Sequence, residues 1–236
     1  MRPGPTIIRK CSSCAAPMAQ ATFRSWNTFG GMLWTDGKIE APMLPNSPWL
    51  VKCPHCQSLL WIDEQVELEE GKLDCWRICE KEQLPEKRHF KKSLFGYYET
   101  GIPQCLPPSA DDLFAYLDTN VLDVEKERYL RQRAWWAGND IRRKGKKKYA
   151  LSDNETRNLE ALAELLDESD NNDRIIKAEI MRELGRFDDA VSVLAMSFDK
   201  ESVEAVTVIK ELAQRKYPFV AKITHEDQTR IESKNE

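Results

Sequence analysis

The sequence predicts an α+β protein in which a small β-rich module precedes an all-α, repeat-like domain. Three observations predict this class. Residues 1–65 are rich in tryptophan, glycine, proline and threonine and poor in helix formers. The same stretch contains two C-x2-C pairs. After the proline-containing segment 102–108, apolar residues recur at helical spacing as far as residue 223.

Composition divides the 236 residues into four segments. Residues 1–65 form the β-rich module, and 66–108 form a connecting segment with mixed signals. Residues 109–223 are predicted to be the helical domain, and 224–236 a polar tail. This length suffices for one large domain or two small ones.

The β-rich module is expected to contain a hairpin. Residues 23–29 and 32–34 have the composition of strands, and Asp36-Gly37 is typical of a two-residue hairpin turn. Residues 39–44 are the expected return strand. Two further strands are expected on either side of the second cysteine pair, at 49–51 and 59–62.

The cysteine pairs are Cys11/Cys14 and Cys53/Cys56, with 38 residues between them. Four thiolates suit the tetrahedral coordination of Zn²⁺, and two paired knuckles leave no open position, so one structural zinc ion is predicted. The odd total of seven cysteines does not suit a secreted disulfide framework. Redox pairs, unrelated buried thiols and an iron–sulfur cluster are the alternatives.

The remaining candidate ligands are expected to play no part in this site. His55 lies inside the second knuckle, where a side chain usually points outward. Cys75 and Cys79 are spaced to share one helix face, and with Cys105 and His89 they could form part of a second site. Buried, inert thiols are the preferred interpretation.

Residues 25–30, 33–38, 41–45 and 48–56 together resemble the zinc-ribbon N-terminal regions of uncharacterised bacterial proteins. The resemblance covers residues 1–65 and implies a four-cysteine ribbon. It implies no activity, because ribbons serve as binding modules of many kinds.

The helical domain shows several start and stop signals. Ser109 is a predicted N-cap, and Ser152 with Glu155 forms a capping-box pattern. Gly185 is predicted to end the helix that Asp173 opens. The other helices are expected at about 124–143, 187–197 and 202–216.

Residues 178–190 are similar to the helix-turn-helix of a tetratricopeptide repeat. Ala178 is the small residue of the first helix, Gly185 makes the turn, and Phe187 and Ala190 occupy the aromatic and small positions that follow. The resemblance implies a repeat-like surface that binds a peptide or protein. A helical bundle packed on the ribbon is the alternative.

A basic, tryptophan-containing stretch spans residues 131–148 and could bind anions or nucleic acid. Trp135 and Trp136 also continue an apolar helix face, so a solvated basic loop beside core residues is preferred. The candidate anion-binding residues are Arg131, Arg133, Arg142, Arg143, Lys144, Lys146, Lys147 and Lys148.

Composition and charge restrict the function classes. The chain is 41% hydrophobic and 31% charged, and no apolar run approaches the roughly 20 residues that cross a bilayer. Residues 151–236 hold 12 basic and 20 acidic side chains, which argues against nucleic acid wrapping the whole protein. We therefore expect a cytoplasmic protein that does not engage membranes.

The preferred function is a zinc-binding adaptor that joins a structural ribbon to a helical protein-binding domain. Its partner is expected to be a protein, and a nucleic-acid-associated module is the alternative. The third hypothesis is an enzyme with an unrecognised interdomain site. The three histidines stand in no recognisable catalytic pattern, so no activity is expected.

Overall fold

The computed structural model describes residues 1–68, 101–144 and 149–223. Within these ranges small antiparallel sheets come first and six helices follow, which confirms the predicted α+β class. The strands are β1 (Arg2–Pro3), β2 (Ile7–Lys10), β3 (Pro17–Gln20), β4 (Phe23–Ser25), β5 (Met32–Trp34), β6 (Ile39–Glu40), β7 (Leu50–Lys52), β8 (Leu59–Trp61), β9 (Val66–Glu67) and β10 (Lys222–Ile223). The helices are α1 (Ala110–Thr119), α2 (Val124–Lys144), α3 (Asp153–Glu164), α4 (Asn171–Glu183), α5 (Phe187–Val193) and α6 (Val203–Gln214).

The chain divides into two compact units. The first comprises residues 1–27 and 43–108, and the second comprises 28–42 and 109–236. We call them the cysteine unit and the helical unit, and the statements below concern their described residues. The change of unit after residue 108 coincides with the predicted start of the helical domain. Residues 28–42, expected inside the β-rich module, group with the helices instead.

Short antiparallel sheets build the cysteine unit. Strand β2 pairs with β3 on one side and β9 on the other, β7 pairs with β8, and β1 pairs with β4. A buried apolar cluster lies among them, and the half-buried Cys105 packs against it. Its members are Cys11, Met18, Val51, Cys53, Leu60 and Ile62.

The predicted hairpin exists, but its strands and its turn differ from expectation. Strands β5 and β6 pair antiparallel, and β10 adds to the other edge of β5. The Trp34 amide donates to the Lys38 carbonyl (3.0 Å), and the Gly37 amide donates to the Trp34 carbonyl (2.9 Å). With Gly37 at φ +77°, this is a three-residue loop with a glycine bulge, not the two-residue turn predicted. The predicted strands 23–29 and 39–44 end early, at residues 25 and 40.

Side-chain capping fixes the starts of α1, α3 and α4. The Ser109 and Ser152 hydroxyls accept hydrogen bonds from the amides of Asp112 and Glu155, and both capping boxes are complete. Helix α4 begins two residues before the predicted Asp173, because Asp170 accepts the Asp173 amide and serves as the N-cap. Helix α5 ends at residue 193 instead of 197, and α6 spans 203–214 instead of 202–216.

Helices α4 and α5 form a tight antiparallel pair. Gly185 has φ +76°, and the Arg186 amide donates to the Met181 carbonyl (2.8 Å), so the predicted glycine stop is confirmed. Ala178 and Ala190 are both fully buried where these helices pack. Two apolar clusters, around Ile180 and Ile209, form the core of the helical unit.

Candidate metal centre

Four cysteine sulfurs converge in the cysteine unit. One donor atom from each of Cys11, Cys14, Cys53 and Cys56 lies within 4.8 Å of the others. Cys11 and Cys53 are buried, and Cys14 and Cys56 lie at the surface. The two C-x2-C pairs predicted from spacing are therefore brought together, and the four thiols can bind a metal ion.

The sulfur positions fit tetrahedral coordination. The Sγ atoms of Cys11 and Cys56 are 3.8 Å apart, as are those of Cys14 and Cys53. A tetrahedron with metal–sulfur bonds of about 2.3 Å has edges of about 3.8 Å. A disulfide would need sulfurs about 2.05 Å apart, so the arrangement suits an ion and not a cross-link.

The first cysteine pair lies in the turn of the β2–β3 hairpin. The Cys11 amide donates to the Ala16 carbonyl (2.9 Å), and the Ala15 amide donates back to the Cys11 carbonyl (2.9 Å). Ala15 has φ +61°, a left-handed conformation that is uncommon for a residue with a Cβ. The backbone thus reverses sharply directly after Cys14 and turns both thiols to one side.

The second pair repeats this turn between β7 and β8. The Cys53 amide donates to the Ser58 carbonyl (2.9 Å), the Gln57 amide donates to the Cys53 carbonyl (3.0 Å), and Gln57 has φ +65°. Two copies of one strained turn face each other across the thiols. Strain of this kind persists where the surroundings hold it and is frequent at ligand-binding sites.

Gln65 is a supporting residue that sequence reasoning missed. It is 5% exposed, its Oε1 accepts the Ser12 amide (2.9 Å), and its Nε2 donates to the Trp61 carbonyl (3.0 Å). Arg9 Nη1 donates to the Gln65 carbonyl (2.8 Å). Gln65 therefore ties the first knuckle to the end of β8, as outer-shell residues of metal sites do. A lone glutamine carries no motif that could have indicated this role.

The pKa values of the Cys53 and Cys56 thiols are shifted in opposite directions. Burial raises the pKa of Cys53 to about 12. The Ser58 hydroxyl lies 3.3 Å from the Cys56 sulfur, and hydrogen bonding by Ser58 lowers the pKa of Cys56 to about 6. A bound cation stabilises thiolates, so metal binding releases protons and weakens on acidification.

Of the other candidate ligands, the structure describes His55 and Cys105, and both lie outside the thiol cluster. His55 is exposed, and its Nε2 lies 3.0 Å from the Pro17 carbonyl, to which it can donate. Burial raises the pKa of the half-buried Cys105. Cys75, Cys79 and His89 fall outside the described residues.

Comparison with models of protein families, with curated proteins and with solved structures finds no match for this chain. In the part of the chain that the structure describes, none of the helices combines the length and apolar character needed to cross a membrane.

Most of the described candidate anion-binding residues have partners inside the protein. Arg131 pairs with Glu127 (2.6 Å), and the Arg133 guanidinium lies 5.6 Å from the centre of the Trp136 ring. Lys144 is exposed at the end of α2. Lys146, Lys147 and Lys148 fall outside the described residues.

Arg142 and Arg143 do not present their guanidinium groups to solvent. Arg142 binds Glu155 through both Nη atoms (2.6 and 3.0 Å). Burial alone would raise the pKa of Glu155, but the hydrogen bonds from Arg142 and Ser152, with the charge of Arg142, outweigh it and lower the pKa. The Arg143 side chain is fully buried, pairs with Asp36 and Asp140, and lies 5.5 Å from the Trp34 ring centre. These contacts make both arginines structural within the helical unit.

Asp36, at the tip of the β5–β6 hairpin, is the centre of a buried polar cluster. It is fully buried, and Oδ2 accepts hydrogen bonds from Arg143 and from Asn139 Nδ2 (3.0 Å). Its backbone carbonyl accepts the Trp136 Nε1 proton (3.0 Å). Burial raises the pKa of Asp36, and the positive charge of Arg143 partly offsets this.

Glu183 extends the cluster onto α4. Its carboxyl accepts hydrogen bonds from Trp135 Nε1 (2.9 Å) and Asn139 Nδ2 (3.0 Å). Burial, together with the charges of Glu179 and Asp36, raises the pKa of Glu183 to about 8. The folded structure therefore favours the protonated form of this carboxyl.

We expect the Glu183→Gln variant to have a higher free energy of unfolding than the unchanged chain, by a margin that increases as pH rises. The pKa of Glu183 lies near 4.5 when unfolded and about 8 when folded, so its contribution to stability is lost as pH rises through that window. At about 1.4 kcal/mol per pKa unit, the gain should grow between pH 4.5 and 8 to on the order of 5 kcal/mol and then level off. Urea unfolding of both proteins across this range measures it. A difference that does not vary with pH would contradict the expectation.

Proposed function

We propose that the four cysteines hold one structural zinc ion. The support is the pair of 3.8 Å sulfur–sulfur distances, which equals the edge of a zinc–thiolate tetrahedron. Four protein ligands complete the coordination, so no position remains for water or substrate. The ion would fasten the β2–β3 hairpin to the β7–β8 hairpin in a unit whose buried apolar cluster is small.

We further propose that the protein is an adaptor that binds another protein through its helical unit. The observation that carries this is a cavity of about 750 Å³ among helices α3, α4 and α5. The tight α4–α5 turn, with the buried Ala178 and Ala190, supports the resemblance to repeat proteins that present such surfaces. The burial of Arg142 and Arg143 weakens the case for nucleic acid.

Affinity capture from a nuclease-treated lysate of the native host tests the adaptor function. The bait is the full chain loaded with zinc, and the bound proteins are identified by mass spectrometry. We expect at least one protein to be retained stoichiometrically after the nuclease treatment. Retention that disappears with nuclease would instead support nucleic-acid binding, and the absence of any retained protein would count against an adaptor.

A further inference from the structure

The cavity in the helical unit has an apolar floor. This floor is formed by Met181 of α4, Leu184 directly after α4, Val193 at the end of α5 and Ala163 of α3. We call this cavity the groove. Met181 and Ala163 are buried, whereas Leu184 and Val193 keep part of their surface in solvent. The concavity is open to solvent and polar side chains form most of its lining, so the apolar floor can cover only a few apolar side chains of a partner.

The rim of the cavity is acidic. Its two basic residues are already paired, Lys177 with Glu168 (2.6 Å) and Arg186 with Asp189 (2.7 Å). The two charges within each pair neutralise each other, so the net charge of the rim depends on the remaining carboxylates.

Glu160 and Glu164 supply that remaining charge. Both are exposed residues of α3 and line the cavity. Among the described residues, neither has a hydrogen-bond or ion-pair partner. Like charges four residues apart on a helix repel each other, and a cation placed beside them relieves the repulsion. The rim thus presents a net charge of about −2 above an apolar floor.

We propose that this groove binds a basic, amphipathic segment of a protein partner. Apolar side chains of that segment would cover the floor, while lysine or arginine side chains on one side of it would reach Glu160 and Glu164. An acidic segment is repelled, and a purely apolar one leaves the two carboxylates unpaired and partly desolvated. The proposal rests on the adaptor function above and adds the place and the chemistry of the contact.

Fluorescence anisotropy with two labelled peptides tests the groove. The first is a short amphipathic peptide of leucine and lysine, and the second carries glutamate in place of every lysine. The zinc-loaded full chain should bind the lysine peptide and not the glutamate peptide. Glu160→Lys combined with Glu164→Lys should weaken binding of the lysine peptide about tenfold or more at physiological salt, because like charges then face each other.

The matched control is Asp118→Lys combined with Glu201→Lys, which changes the net charge equally at exposed positions outside the cavity. It should weaken binding less than about twofold, since exposed charges at a distance are screened. Leu184→Gln removes apolar floor without changing charge and should also weaken binding. Circular dichroism of every variant checks that the helices are intact.

We call the Glu160→Lys, Glu164→Lys chain the groove variant. The proposal would be overturned if this variant and the control lost the same affinity for the lysine peptide, or if both peptides bound the unchanged chain equally well. A Leu184→Gln variant that binds as well as the unchanged chain would also overturn it. If the captured partner binds the groove variant with unchanged affinity, the groove is wrong while the adaptor function stands. If no protein is captured at all, the adaptor function itself fails.

Discussion

Cys53→Ser should abolish metal binding and unfold the cysteine unit, while the helices and the β5–β6 hairpin stay folded. The unchanged chain should contain about one zinc ion, and the variant close to none, because a serine hydroxyl does not replace a buried thiolate ligand. Structural zinc contributes about 10–16 kcal/mol to folding in small modules, more than the stability of a typical domain. Elemental analysis measures the metal.

Hydrogen exchange locates the damage. The amides of β7 and β8 should lose protection in the variant, whereas the Trp34 amide should keep it, because its hairpin belongs to the helical unit. Cys105→Ser is the control, since Cys105 packs against the same apolar cluster but is not one of the four ligands. That variant should retain one zinc ion.

Two outcomes would contradict this account. A metal-free chain with β7 still protected would show that the thiols need no ion. Loss of Trp34 protection together with that of β7 would show that both units unfold as one. Either result would be visible at single-residue resolution, which circular dichroism alone does not provide.

Local chemistry explains what the sequence could predict. The C-x2-C spacing, the two capping boxes and the glycine after α4 each depend on residues within five positions of one another, so short sequence windows contain the whole signal. The clustering of the four thiols could be predicted because two local knuckles need only be brought together. The left-handed residues after each pair, Ala15 and Gln57, carry no such signal, since neither is a residue type that favours that conformation.

Long-range burial explains what the sequence could not predict. Asp36 was interpreted as a turn residue because Asp-Gly is typical of a two-residue hairpin turn. Its carboxylate instead binds Arg143, which is 107 residues away and was a candidate for anion binding. A short sequence window explains Asp36 as a turn residue and Arg143 as an anion-binding residue. Only the tertiary fold brings the two side chains together in the protein interior. The contact lies within the helical unit, to which residues 28–42 belong.

Asp36→Ala should destabilise the helical unit by about 3 to 5 kcal/mol. The substitution leaves the Arg143 guanidinium buried without its carboxylate from the hairpin, and it removes a partner of Asn139. Breaking a buried ion pair from one side has a cost of this size, because the charge left in the interior loses its buried partner. Asp140 still contacts Arg143, but its side chain is partly exposed and compensates the buried charge less well. Urea unfolding of the zinc-loaded chain, followed by the helical circular-dichroism signal, measures the change.

Glu211→Ala is the matched control. It removes an exposed ion pair with Arg215, whose closest atoms are 3.9 Å apart, and should cost less than about 1 kcal/mol. A similarly small effect of Asp36→Ala would mean that the hairpin does not anchor the helices. Asp36→Asn, which keeps the shape and one acceptor, should fall between the two.

Combining Asp36→Ala with Arg143→Met tests whether the effect belongs to the pair. The double variant buries no unpaired charge at this position, so it should be less destabilised than the sum of the two single variants, by about 1 to 3 kcal/mol. Additive effects would mean that Arg143 is sufficiently stabilised by Asp140 and the Trp34 ring. The coupling would then have to reside in the Asn139–Glu183 contacts, and the same cycle with Asn139→Ala would show it.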